Sequence, residues 1–196
     1  MKHEGWAPAR LSDPQCRLLD RYEELLRTVA VPKGMVAASD TDDLRERHIL
    51  DSLRLLPLLS AGTSRVVDLG SGAGLPGIPL AIGDPALDIT LSETRSARIA
   101  FLELVVERLG LQGVHVVPGR AEELPEGSFD LCVARGFGDP VRCWSVAERL
   151  SSPGGGLAYW AGGTFEAADL PTGARLDRIG EPTLESGGPI VIMTRQ

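Results

Sequence analysis

The spacing of apolar positions along this 196-residue chain changes near residue 65. Before that point apolar residues recur at helical intervals: Leu18, Tyr22, Leu25 and Val29, flanked by Leu19 and Leu26. They follow Ser12-Asp13-Pro14-Gln15, an S-x-x-Q capping box with a proline early in the first turn. The pattern predicts an amphipathic helix over 12–29. After a loop containing Pro32 and Gly34, a second helix is expected from near Thr41 through Leu44, His48, Leu55 and Leu59, bent at Pro57. The two helices read as an N-terminal cap, residues 1–62, integral to the fold.

From Arg65 onward, short apolar runs alternate with helical stretches. Strands are predicted at 66–69, 87–91, 114–117, 131–134 and 157–160, and helices at 76–82, 94–109, 120–124 and 139–150. The best-defined helix, 94–109, carries Phe101, Leu102, Val105, Val106 and Leu109 on one stripe and ends at Gly110, a C-cap glycine. A turn is expected at Gly154-Gly155-Gly156. Two further strands, near 175–180 and 189–194, flank Ser186-Gly187-Gly188-Pro189 and suggest a closing hairpin. Strands alternating with helices imply βαβ units around a parallel sheet covered on both faces. The expected fold is α/β, Rossmann-like, with a mostly parallel seven-stranded sheet in a domain spanning 63–196.

Composition removes several function classes. Hydrophobic residues make up 43% and charged residues 24%, with mean hydropathy +0.01, against disorder, collagen or a coiled coil. A net charge of −7 and a pI near 5.0 disfavour a protein that coats nucleic acid without selectivity. Cys16, Cys132 and Cys143 share no metal-ligand or redox spacing, so no metal site or disulfide framework is expected. Met1-Lys2-His3-Glu4-Gly5-Trp6 has no apolar core of a signal peptide, and no run of about 18 uncharged apolar residues occurs. A soluble cytoplasmic protein, without a membrane partner, is the expectation.

Val66-Val67-Asp68-Leu69 leads directly into Gly70-Ser71-Gly72-Ala73-Gly74-Leu75-Pro76-Gly77: a strand, an acidic residue, then a glycine turn feeding a helix. Glycines serve where backbone must approach a ligand closely, and a helix N-terminus adds a positive field. A nucleotide-like cofactor follows. Gly72-x-Gly74-x-x-Gly77 also satisfies the dinucleotide fingerprint, so the turn alone leaves a nicotinamide or flavin open. Asp68 sits where the dinucleotide fold usually keeps an apolar residue. Glu93 ends the second strand, where a carboxylate can bind both ribose hydroxyls, a feature both cofactor classes share. Ala121-Glu122-Glu123 follows the third strand, beside the place an adenine edge would take. Their joint order favours S-adenosylmethionine.

Arg47-His48-Ile49-Leu50-Asp51-Ser52-Leu53, the glycine turn through Ile78-Pro79-Leu80, Arg120-Ala121-Glu122-Glu123 and Ala134-Arg135-Gly136-Phe137 resemble successive motifs of one family. That family is the small-subunit ribosomal RNA methyltransferase G family, also called glucose-inhibited division protein B. The resemblance implies a class I methyltransferase that moves methyl from S-adenosylmethionine to N7 of a guanine in 16S rRNA. It also implies cofactor contacts at Gly70 and Leu75, at Ala121 and Glu122, and at Arg135. Two stretches depart from the family pattern. Thr28 to Val36 lacks the family's tryptophan-asparagine pair and asparagine-leucine-threonine motif, and Tyr159-Trp160-Ala161-Gly162 has Ala161 where the family has a lysine.

The expected cofactor site is therefore Asp68, Gly70, Gly72, Gly74, Leu75, Glu93, Ala121, Glu122 and Arg135. Guanine N7 already presents a lone pair, so no catalytic acid, base or nucleophile is assigned, and positioning and electrostatics should carry the rate. Cys132 and Cys143 read as small core residues. On the second helix Arg47–Asp51 and His48–Ser52 stand at i,i+4, which suggests a surface ion pair and a packing histidine. The resemblance adds a substrate-binding role for Arg47 and His48 at the mouth of the site. The expected partner is 16S rRNA or the small ribosomal subunit, met by a monomer.

Overall fold

A computed structural model of the chain describes residues 11–163, 165–180 and 188–196. Strands β1 (Arg65–Leu69), β2 (Asp88–Glu93), β3 (Val114–Pro118), β4 (Phe129–Ala134), β5 (Ser151–Trp160), β6 (Ala174–Gly180) and β7 (Ile190–Arg195) form one sheet. Its order is β3-β2-β1-β4-β5-β7-β6. The first five are parallel, and β7 enters antiparallel between β5 and β6. The chain leaves β1 toward β2 on one side and later returns to β4 on the other, which opens a crevice at the carboxyl ends of the strands.

Strand side chains alternate between two buried clusters, as a sheet covered on both faces requires. Val66, Leu131 and Val133 pack under α1 (Asp13–Leu25), α3 (Gly77–Gly83) and α4 (Ser96–Leu109). Val67, Leu69, Cys132 and Ala134 pack on the opposite face under α5 (Pro140–Leu150). Gly110, at φ +67°, ends α4 as its spacing predicts, and the Asp139 carboxylate caps α5 by accepting the Arg142 N–H at 2.8 Å.

Three expectations are corrected. The second cap helix begins at Ala38, not near Thr41, and is composite: 3-10 turns over Ala38–Asp43, wider π turns over Leu44–Leu50, α2 (Asp51–Leu53), and a 3-10 turn at Leu56–Leu58. Pro57 lies in that last turn, and the chain is extended by Leu59 (ψ 140°), so the helix stops instead of bending. Gly154-Gly155-Gly156 form no separate turn but lie inside β5. The pairing of β4 with β5 shifts register there, and a Cβ on Gly156 would stand 2.2 Å from the Met193 carbonyl oxygen on β7, so these glycines permit a bulge and close strand approach. The hairpin of β6 and β7 forms, with Gly180 opposite Ile190; Ser186 and Gly187 of the expected connection lie outside the described residues.

The cap is fastened to the sheet domain by polar side chains as well as by apolar packing. Ser12 donates its N–H to Gln15 Oε1 at 2.8 Å, closing the capping box, while Gln15 Nε2 donates to the carbonyls of Ile82 and Gly83 at 2.9 and 2.8 Å. The far end of α3 thereby gains partners for carbonyls that a helix terminus leaves open. Across the molecule, the buried Arg54 guanidinium pairs with Asp51 and donates to the carbonyls of Gly180 (3.0 Å) and Gly188 (3.2 Å). Replacing Arg54 by Met strands these acceptors and unbalances Asp51. The variant is expected to lose about 3 kcal/mol of stability, seen as a lower urea midpoint at unchanged m-value.

Candidate functional site

The turn after β1 is held from four directions. Ser71 donates its N–H to the Ser92 carbonyl at 2.9 Å, tying the turn to the end of β2. Gly72 donates its N–H to Glu93 Oε2 at 3.0 Å, and Gly77 donates its own to Asp68 Oδ2 at 2.9 Å. From the cap, the fully buried Tyr22 hydroxyl donates to the Ala73 carbonyl at 2.7 Å. Glycine is required at position 70, where φ is +67° and a Cβ would stand 2.7 Å from Cδ2 of Phe137. Sequence spacing marked Tyr22 only as part of a helix stripe, because its partner lies 51 residues away.

Glu93 is buried yet held ionised. Burial opposes its charge, but N–H groups of Arg95 (2.9 Å), Thr94 (2.7 Å) and Gly72, together with Arg98, outweigh that cost and lower its pKa. Opposite it, the 3-10 turn Ala121–Glu123 is fixed from beneath by Arg149, which donates to the carbonyls of Ala121, Glu122 and Leu124.

Two adjoining cavities open at these strand ends. The first, about 370 Å³, is walled by Gly70, Glu93, Ala121, Glu122, Phe137 and four arginines, Arg95, Arg98, Arg120 and Arg142. The second, about 260 Å³, lies between the glycine turn (Gly70 to Ala73, Leu75) and the cap residues Met35, Val36, Ala37 and His48, with Arg135 beside them. Gly70, Arg98 and Gly136 border both. The expected residues Gly70, Gly72, Leu75, Glu93, Ala121, Glu122, Arg135 and His48 thus converge. Asp68 and Gly74 line neither cavity, and Asp68 is only 1% exposed; they support the turn from below. Arg47 also lines neither. Met35 to Ala37, Arg98, Phe137 and Arg142 were not expected as site residues, although Phe137 closes the quoted Ala134-Arg135-Gly136-Phe137 motif and Met35 and Val36 end the singled-out stretch from Thr28. A larger depression, about 520 Å³, lies apart between α1 and the segments following α3 and α4.

Arg135 leaves β4 and is received by the cap. It donates to His48 Nδ1 at 3.2 Å, and to the His48 carbonyl and Asp51 Oδ2 at 3.5 Å. An arginine has no acceptor, so Nδ1 must be the unprotonated nitrogen and Nε2 carries the hydrogen that reaches Asp40 Oδ2 at 3.0 Å. Burial and the Arg135 charge lower the His48 pKa and keep the ring neutral. The expected Arg47–Asp51 pair does not form. Asp51, 13% exposed, is taken by the more buried Arg54 and Arg135, and Arg47, 43% exposed, pairs with Asp40 at 2.9 Å. Nor does His48 use its ring on Ser52, whose hydroxyl donates to the His48 carbonyl at 2.6 Å. Cys132 and Cys143 are fully buried, and burial pushes their thiols up to about 12 and about 11, which leaves neither as a nucleophile. Among the described residues no cluster of His, Cys, Asp and Glu could hold a metal ion, and no helix is long and apolar enough to cross a membrane.

A family model described as rRNA small subunit methyltransferase G, GidB, matches residues 15–170, a span that contains both cavities. The ribosomal RNA small subunit methyltransferase G of Mycolicibacterium paratuberculosis is 43% identical over 151 residues, covering 72% of this chain and 60% of the relative. That of Mycobacterium leprae is 42% identical over 148 residues, covering 72% and 59%. The chain belongs to the GidB family. It spans about three-fifths of the length of these relatives. Among solved structures, MtNAS in complex with S-adenosylmethionine superposes with TM-score 0.63 at 18% identity, covering 92% of this chain and 76% of that one. A SAM-dependent methyltransferase from Aquifex aeolicus gives 0.58 at 17%, covering 83% and 97%. The fold is therefore that of the class I methyltransferases, as the sequence predicts.

Within this GidB-family chain, Asp68 is the acidic residue that opens the glycine motif, and its Oδ1 has no hydrogen-bond partner among the described residues. Burial raises its pKa to about 7, against the opposing pull of the Gly77 N–H and the Arg135 charge. An unfolded aspartate titrates near pH ~3.9, so folding takes up a proton between that value and 7. The contribution of Asp68 to stability is therefore complete below about pH 4 and is lost as the pH rises toward 7. In urea titrations at successive pH values, Asp68→Asn is expected to gain on the unsubstituted protein by up to about 1.4 kcal/mol per pH unit over this window. A difference that stays constant with pH would contradict the assignment.

Proposed function

We propose that this chain is an enzyme that transfers the methyl group of S-adenosylmethionine to N7 of a guanine in 16S rRNA. The observation that carries the proposal is the paired cavity in a GidB-family chain: one lobe suited to a nucleoside, opening into a second under the cap. In the first lobe the ionised Glu93 carboxylate is an acceptor for ribose hydroxyls, and Ala121 and Glu122 border the place of an adenine. Gly72, which borders the second, leaves open space where a side chain would stand, since a Cβ there meets nothing closer than the Gly70 carbonyl oxygen at 3.9 Å. These groups fit the cofactor, with Gly70, Leu75 and Arg135 completing its contacts and Asp68 and Gly74 shaping the turn that holds it. Of the expected cap, 1–62, residues 11–62 act as a helical cap integral to the methyltransferase domain of 63–196, and residues 1–10 lie outside the described residues. The working state is read as a cytoplasmic monomer acting on 16S rRNA or the small ribosomal subunit.

When bound, the cofactor supplies an electrophilic methyl group on a sulfonium. The chain supplies position and exclusion of water. Met35, Val36 and Leu75 give the second lobe apolar walls, while Arg135 enters with its direction set by His48 and Asp51. Among the described residues no side chain lining this lobe is free to take a proton: the one acceptor nitrogen of His48 is occupied by Arg135. Guanine N7 needs none, because its lone pair attacks without prior deprotonation, so preorganised geometry is the source of acceleration. His48 borders the substrate lobe directly; Arg47 stands outside it, paired with Asp40, and would meet RNA at the rim.

Gly72→Asp tests the cofactor reading. Position 72 has φ +59°, which aspartate tolerates better than most residues, so the fold should persist while the new carboxylate crowds the cavity and faces Glu93. Calorimetry with S-adenosylhomocysteine is expected to show binding by the parent protein and none by the variant at an unchanged melting temperature. For the reaction, labelled methyl should enter small ribosomal subunits from a strain lacking its own enzyme, and mapping should place it on a guanine N7. Transfer to small molecules but not to ribosomal RNA would reject the substrate assignment, and cofactor binding without any transfer would mark a non-catalytic relative.

A further inference from the structure

Charge is distributed against the composition of the chain. Acidic residues outnumber basic ones by 27 to 20 overall, yet the two cavities are bordered by five arginines and two glutamates. Most described arginines are neutralised by a carboxylate, including Arg98 by Glu93 and Arg135 by Asp51. Arg95, Arg120 and Arg142 have no ion-pair partner among the described residues, and all three are exposed on the border of the first cavity. They arrive from separate elements, just before α4, just after β3 and in the first turn of α5. Arg142 is held in place by its guanidinium lying over the Phe137 ring, 4.8 Å from the centroid.

The cofactor does not account for this charge. S-adenosylmethionine has one carboxylate set against an ammonium and a sulfonium, so its net charge is positive, and a cationic border repels it. A partner carrying several negative charges in a row does account for it. Resting on the methyltransferase reading above, we infer that Arg95, Arg120 and Arg142 form a phosphate-binding rim that grips the RNA backbone beside the cofactor cavity while the target base enters the second lobe. Just after β5, Ala161 is 7% exposed and donates its N–H to the Pro189 carbonyl, so this position offers the RNA no cation. The rim supplies positive charge on the other side of the crevice.

The test is the salt dependence of RNA binding by the full-length protein, with an unmodified 16S rRNA transcript as probe. Each neutralised phosphate contributes about 0.7 to 0.9 to the slope of log K against log salt, so Arg95→Gln/Arg120→Gln/Arg142→Gln should flatten it by about 2 to 3. Affinity at low salt should fall on the order of tenfold or more, with S-adenosylhomocysteine affinity retained. Arg17→Gln/Arg108→Gln/Arg175→Gln removes the same charge from exposed positions outside both cavities that have no ion-pair partner among the described residues, and should leave the slope unchanged. The proposal is overturned if the rim variant keeps the parental slope, if the remote variant flattens it equally, or if the rim variant loses cofactor affinity instead. Should the parent protein methylate ribosomal RNA while the rim variant keeps its slope, only the rim fails. Should the parent neither bind nor methylate the RNA, the methyltransferase reading fails and the rim with it.

Discussion

One carboxylate, that of Asp51, sets where the cap sits. Its Oδ1 is taken by Arg54 and its Oδ2 by Arg135, while the Asp51 carbonyl accepts the Trp160 indole N–H at 3.4 Å. Arg54 continues to the carbonyls of Gly180 and Gly188, so the cap, the end of β4, the end of β5 and the β6–β7 hairpin meet around one side chain. Apolar packing alone would let the cap helix slide or rotate at small cost, because burial is non-directional. Charged groups taken from water gain only when their geometry is satisfied, which gives such a cluster a single good arrangement more than a large net stabilisation. That arrangement places Met35, Val36 and His48 over the glycine turn, and the second cavity exists because of it.

The parts of the fold legible in the sequence are those whose cause is local. Alternation along β1 and β4, the capping box at Ser12 and Gln15, the stripe on α4 and the C-cap at Gly110 each need only a few neighbouring residues. The glycine turn was legible for the same reason. What was hidden depends on partners far away in the chain. Asp51 looked like the partner of Arg47 until Arg135, 84 residues on, claimed it. Gly154 to Gly156 looked like a turn because nothing local reveals that β7 will press against β5 at Met193. Tyr22 is indistinguishable from any other stripe residue until Ala73 is folded beneath it. Of the site residues, those on the turn and the strand ends converge, whereas Asp68 and Gly74 act one layer below the cavities.

The net charge of −7 weighs against a protein that coats nucleic acid without selectivity, and the structure limits what that number says about a selective partner. Exposed charges farther apart than a Debye length, ~8 Å at physiological salt, are largely screened from one another. An anionic strand at the crevice therefore responds to the charges bordering it and scarcely to carboxylates on the far side of the sheet. Pairing sharpens this: arginines on the cap and under the sheet are spent on Asp40, Asp51 and backbone carbonyls, so their charge and donors are committed internally. Net charge counts every ion equally, but a ligand meets only those left unpaired and near.

The titratable groups lead to the same chemistry from another side. A reaction at an exocyclic amine or a hydroxyl needs an acceptor for the departing proton, held within hydrogen-bond reach of the attacking atom. His48 borders the second lobe, but its acceptor nitrogen faces Arg135 and its N–H faces Asp40. Asp68 titrates near neutrality, as a base should, yet it is sealed beneath the turn and reaches neither cavity. Both buried thiols are held protonated. Among the described residues no side chain bordering this lobe is placed to accept a proton, which suits the proposed attack by a ring nitrogen whose lone pair is already free.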